Sequence, residues 1–254
     1  MDFKFEERPY AGKNFRPRPE ILLDELSRLL IIATPWGPRA GARKVIDRMV
    51  EYLSLAREDR EATSPFERLS CLSGLANNLR IATLLANEAL YREDNRAEYR
   101  SGVELFAAVL DEQELVWLQA GSPHILLSRS GRTLMPIGSQ IDLSFDLGNE
   151  SILPPLPSQL LGLDISLNLN LNSFRARPDD QLVLLSHSYV PQSLFALESP
   201  NINLESLSQA LAKNDPHLAF WLGILKVKRG AGESELEDNQ PPEIESGTHT
   251  RGAS

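Results

Sequence analysis

Apolar positions along this chain fall into three rhythms, and each predicts a different kind of element. Leu29-Leu30-Ile31-Ile32-Ala33 has no polar break and reads as a buried strand, which Thr34-Pro35-Trp36-Gly37-Pro38 ends in a loop. From Arg39 onward, Val45, Met49 and Leu53, with Ile46 and Val50 beside them, recur at helical spacing. Ser64, Pro65 and Glu67 carry the chemistry of a helix start: a cap, a first-turn proline and an early acid. The apolar positions Phe66, Leu69, Leu72, Leu75, Leu79 and Ala82 continue that helix toward Tyr91. The rhythm then changes to strands over Val103–Leu110, Leu115–Ala120 and His124–Ser128, with Asp111–Glu114 and Gly121-Ser122-Pro123 as hairpin connections. Ile165, Leu167, Leu169 and Leu171 alternate with Ser166, Asn168 and Asn170 in a half-buried strand. Leu182–Ser186 is a further strand; Leu204, Leu207 and Leu211 mark a late helix, and Phe220–Val227 a final strand. The order predicts an α+β fold with helices packed outside antiparallel sheets.

Composition divides the chain into three regions. Residues 1–19 are polar and carry Pro9, Pro17 and Pro19, so they are expected to form an extended N-terminal segment. The folded body is expected over 20–229. Residues 230–254 form an acidic tail rich in Gly, Glu, Ser and Pro, with too little to bury to offset the entropy of ordering. The net charge of −9 argues against a general binder of nucleic acid or anionic membrane, despite the local run of Lys13, Arg16 and Arg18. Cys71 stands alone, so no internal disulfide forms, and its place among Leu69 and Leu72 predicts core packing. Met1 leads into Asp2 and Glu6 rather than a basic and then apolar stretch, so no leader is expected, and no apolar run reaches the roughly 18 residues of a membrane span. The expectation is a cytoplasmic protein.

Several stretches resemble the metal-dependent type 2C protein phosphatases, including the bacterial stress-regulator branch. Leu29–Ala33 with Gly37 and Gly41 looks like that family's first core strand and the turn into its first helix. Ala86-Asn87-Glu88-Ala89-Leu90-Tyr91 resembles the end of its second helix. Leu118–Pro123, followed by Leu126-Leu127 and Arg129-Ser130-Gly131, looks like its central hairpin. Pro178–Ser186 is similar to the strand that ends at a catalytic aspartate. The likeness runs from about Gly12 to Lys228 and implies a four-layer α/β/β/α sandwich, two antiparallel sheets flanked by helices.

The resemblance also implies a chemistry: two divalent cations share a bridging water that attacks phosphorus. Two dications about 4 Å apart repel by roughly 4 kcal/mol even at water's dielectric, so several carboxylates are needed to hold them. This sequence carries other residues at the matching positions. The resemblance puts Thr34 at the bridging aspartate and Pro35 at the glycine that lends a carbonyl. Ser186 is followed by His187-Ser188 in place of Asp-Gly, and Leu218-Ala219 stands in place of Asp-Asn. Glu20 is the one carboxylate near an early acidic position.

A degenerate phosphatase-like domain is therefore expected, with no catalytic residue and no metal, acting by binding a protein: a kinase, a phosphoprotein or an active phosphatase. Arg16, Arg18 and Trp36 are the candidate contacts, Trp36 because it sits in a loop at the cleft mouth. The first alternative is a weak phosphatase using manganese or magnesium on Glu20, His187 and Asp215. The second is a small-molecule sensor using the vacated cleft. A cluster of His124, His187 and His217 is the less favoured route to a metal, since lone histidines more often make structural hydrogen bonds. No phosphate-binding glycine loop, His-Glu-x-x-His run or nucleophile elbow occurs. Oligomeric state stays open.

Overall fold

Strands that are apolar on both faces need cover on both faces, and the layering supplies it. The computed structural model describes residues 1–10, 16–58, 64–130, 132–138, 159–187, 190–197, 202–214, 216–217 and 219–229. One sheet contains β2 (Glu20–Asp24), β3 (Leu29–Trp36), β4 (Gly102–Asp111), β5 (Glu114–Ala120) and β8 (Asn170–Arg175), in the order β2-β3-β4-β5-β8. The other holds β1 (Asp2–Tyr10), β6 (His124–Ser128), β7 (Met135–Gly138), β9 (Gln181–Ser186) and β10 (Phe220–Lys228), in the order β1-β10-β9-β6-β7. Every pairing is antiparallel.

Helices α1 (Arg39–Glu58) and α2 (Gly74–Ala89) cover the outer face of the first sheet, and α3 (Leu204–Asn214) covers that of the second. Three apolar cores follow. Leu29, Ile31, Met49 and Leu79 pack between helices and sheet; Leu30, Ile32, Phe106 and Trp117 fill the space between sheets; Leu126 and Leu185 cluster with Leu207 of α3. Each large side chain so buried contributes roughly 1.5–3 kcal/mol. This is the four-layer α/β/β/α sandwich.

Local chemistry moves several boundaries. Residues 2–10, inside the segment set apart by its prolines, pair with β10 along their whole length, with Phe3 buried. Pro9 is tolerated there because β1 is an edge strand. The strand expected to stop at Ala33 continues to Trp36; Pro35 faces only Val103, since β2 has ended opposite Ala33. The second helix begins at Gly74, not near Ser64. Ser73 caps it by accepting the Ala76 N–H, and the Asn77 side chain bonds Leu69 and Leu72, folding the preceding stretch back. Cys71, in that folded-back stretch, is exposed rather than in the core. The alternating run from Ile165 becomes a strand only at Asn170, and Ile165 is exposed. Gly121–Pro123 does not close a hairpin. It carries the chain from β5 in one sheet to β6 in the other.

Candidate functional site

At one level of the sandwich the inward-facing positions change from apolar to polar. Leu30 and Ile32 on β3 are followed by Thr34; Phe106 on β4 is preceded by Glu104; Trp117 on β5 is followed by Gln119; Leu182 and Leu184 on β9 are followed by Ser186. Thr34 and Glu104 are register partners, so they share the face between the sheets. All four polar residues are buried.

Glu104, 2% exposed, is the charged one. The Ser122 N–H donates to its Oε1 at 3.2 Å. The connection can close on the carboxylate because Gly121 adopts φ +77°; a Cβ there would lie 2.9 Å from Glu104 Cγ and 2.8 Å from the Gln159 carbonyl oxygen. Arg16 arrives from the segment leading into β2. Its Nη2 lies 3.8 Å from Glu104 Oε2 and donates to Ser122 Oγ at 3.2 Å. Burial pulls the guanidinium pKa below its ordinary value while Glu104 opposes the shift; an arginine remains charged regardless. Glu104 Oε2 and Arg16 Nε are buried and have no hydrogen-bond partner among the described residues. Such atoms cost about 1–3 kcal/mol each.

Two histidines flank this pair. His124 Nε2–H donates to the His187 carbonyl at 3.0 Å, and both rings are buried. Burial pushes the His124 pKa down to about 4; the nearby charges of His187 and Arg16 push the same way, against the hydrogen bond to His187. The imidazole is neutral at pH 7. At the rim of the same end, Glu7 accepts the Trp221 indole N–H at 2.6 Å.

The sequence candidates separate accordingly. Thr34, Arg16 and His187 come to the polar end, whereas Glu20 does not. Glu20 pairs with Ala33, which packs on the helix side, and its carboxylate takes Arg39 at 2.6 Å and Arg43 at 3.8 Å. Arg16 is an internal ion-pair partner rather than a surface contact. Trp36 is half-buried at the strand end, its indole nitrogen shut away from water, and Pro35 is buried; Arg18 is exposed. Leu218, Asp215 and the tail lie outside the described residues. Sequence reading passed over Glu104, although a lone acid inside Gly102–Leu110, an otherwise apolar strand, is the signal that finds it.

No protein-family model and no curated protein matches the chain. Solved structures do. The Mycobacterium tuberculosis serine/threonine phosphatase PstP/Ppp superposes with a TM-score of 0.63 at 18% identity, over 90% of this chain and 100% of that one. This chain has the fold of a PPM-type phosphatase. PppA of Pseudomonas aeruginosa, described as a key regulatory component of T6SS, gives 0.62 at 16%, over 88% and 97%. The PPM Ser-Thr phosphatase MsPP from Mycobacterium smegmatis gives 0.61 at 13%, over 88% and 98%. The catalytic domain of PstP in complex with two manganese ions gives 0.58 at 19%, over 90% and 99%. The described residues at the polar end of this PPM-type fold do not present the carboxylates that such an ion pair needs. Among the described residues no group of three or more His, Cys, Asp or Glu is disposed to hold a metal ion, and the buried carboxylate faces a guanidinium.

Proposed function

We propose that this chain is a catalytically inactive type 2C phosphatase-like domain that works by binding a protein in phospho-signalling. The observation that carries the reading is the pair of Arg16 and Glu104, buried between the sheets beside Thr34. One negative charge is met there by one positive charge, which leaves nothing to hold four more. A dication placed about 4 Å from the guanidinium is repelled by roughly 2 kcal/mol even at water's dielectric, and by more in a drier setting. Thr34 and Ser186 add no charge, and His124 Nε2–H is directed to the His187 carbonyl oxygen.

The partner is a kinase, a phosphoprotein or an active phosphatase with which the chain competes for substrate. Of the contacts suggested by sequence, Arg18 keeps an exposed side chain. The sensor reading has less support, since the end of the cleft is occupied by Arg16, Glu104 and Gln119, all buried.

The test is hydrolysis of an aryl phosphate and a phosphothreonine peptide in millimolar manganese or magnesium, at graded protein concentration. No turnover above the metal-buffer blank is expected. Turnover that scales with protein and disappears in Glu104→Gln would establish the weak-phosphatase alternative.

A further inference from the structure

Glu104 sits on a central strand with one carboxylate oxygen served by the Ser122 N–H and the other without a hydrogen bond among the described residues. A buried carboxylate in that state needs a cation. Both segments that close on it cross between the sheets: Arg16 belongs to the stretch joining β1 to β2, and Ser122 to the stretch joining β5 to β6. We propose that Glu104 and its surroundings form a guanidinium site, which Arg16 fills from within the chain, stapling the two sheets together at their polar end. This deepens the inactive reading and rests on it in treating that end as holding one organic cation in place of metal ions.

The chemistry selects a guanidinium over a metal. The Ser122 N–H takes one lone pair of Oε1, and a single carboxylate offers one negative charge, which matches a monovalent organic cation better than a hard dication. The remaining groups are neutral acceptors suited to N–H donors. Ser122 Oγ takes one bond from Arg16, and the Gln159 carbonyl oxygen lies beside Gly121, next to Ser122. A guanidinium offers five donors in a planar fork; an ammonium offers three and no plane. The fit is slack. The 3.8 Å ion contact and the unbonded Arg16 Nε leave room for a free ion to seat more closely than the tethered one.

The experiment is a double-mutant cycle read by thermal unfolding at neutral pH, with and without tens of millimolar guanidinium chloride. Arg16→Ala strands the carboxylate and is expected to lower Tm by about 10 °C. Guanidinium should recover at least half of that loss, while slightly lowering the Tm of the unsubstituted protein as a denaturant; sodium or tetramethylammonium chloride should recover none. Arg16→Ala with Glu104→Gln should regain most of the Tm and lose the response to guanidinium. If Arg16→Ala alone is recovered unfolded, the double variant folds on this proposal and remains unfolded against it. Additive losses in the cycle, no response of Arg16→Ala to guanidinium, or an equal response to manganese would each overturn it. None of these readouts uses turnover. Metal-dependent hydrolysis by the unsubstituted protein would remove the inactive reading while leaving the result of the cycle intact.

Discussion

Each end of this sandwich buries one carboxylate against one arginine, and the two pairs are built to different standards. At the end where β9 begins, Asp180 is 2% exposed and fully served: Arg129 Nε reaches Oδ1 at 2.8 Å, Arg129 Nη2 reaches Oδ2 at 2.7 Å, and the Arg177 N–H adds a third bond at 2.8 Å. Arg129 also lies 5.8 Å from the Phe174 ring centroid, and the bond to Asp180 raises its pKa. At the end where β9 finishes, Glu104 and Arg16 stand 3.8 Å apart, each with an unbonded polar atom. Fork-to-fork geometry of the first kind stabilises a fold. A looser pair with unsatisfied atoms adds little net stability over an apolar filling of the same space, although removing one partner strands the other.

The largest effect expected from breaking this contrast is at the well-made end. Asp180→Ala removes three hydrogen bonds and leaves Arg129 without its counter-ion. Loss of one partner from a buried pair costs about 3–5 kcal/mol; Arg129 keeps some contact with water, which places this variant near the lower figure. Urea unfolding gives the number. A loss below about 1 kcal/mol would remove the distinction between the ends.

A second effect sharpens the picture of the polar end through pH. His124 is held at about 4 by burial, whereas the unfolded residue titrates near its ordinary 6.5. Between those values the unfolded chain binds a proton that the folded chain refuses, so stability falls as pH drops through that window and is unaffected above it. The loss approaches about 3 kcal/mol at the acidic limit. Glu6, Asp24 and Glu93 are held below their ordinary values by hydrogen bonds from Lys4, Ser27 and Lys44 respectively, which adds losses at lower pH. The difference between the protein and His124→Gln, which keeps a donor toward the His187 carbonyl, isolates the imidazole. Parallel pH profiles for the two would mean that His124 titrates normally.

Much of the scaffold was legible because burial on both faces writes itself as unbroken apolar runs. Leu29–Ala33, Leu115–Ala120 and Leu182–Ser186 all became central strands. What could not be read were decisions made by single side chains. Asn77 turns back the stretch around Leu69 and delays α2, and the sheet-to-sheet crossing at Gly121–Pro123 has the composition of an ordinary hairpin. The site was legible by position and not by partner. Matching strand ends to a known family located Thr34 and His187 at the right end, but that comparison asks what replaced an aspartate. It does not ask which new residue entered, and Glu104 and its bond to Ser122 become visible only when the strands are in register.

Glu20 supplies the smallest effect and the strictest check on which face matters. It is the acid that resemblance would carry into a metal site, yet its register with Ala33 turns it toward α1, opposite to the face shared by Thr34 and Glu104. Its partners Arg39 and Arg43 are 64% and 67% exposed, and ion pairs of that kind contribute at most about 1 kcal/mol. Glu20→Ala is therefore expected to lower Tm by no more than about 3 °C and to leave any thermal response to manganese the same as in the unsubstituted protein. A manganese response that changed with Glu20 would mean that the carboxylate reaches around the edge of β2 into the polar end. The division of that strand into a helix-facing and a cleft-facing side would then fail.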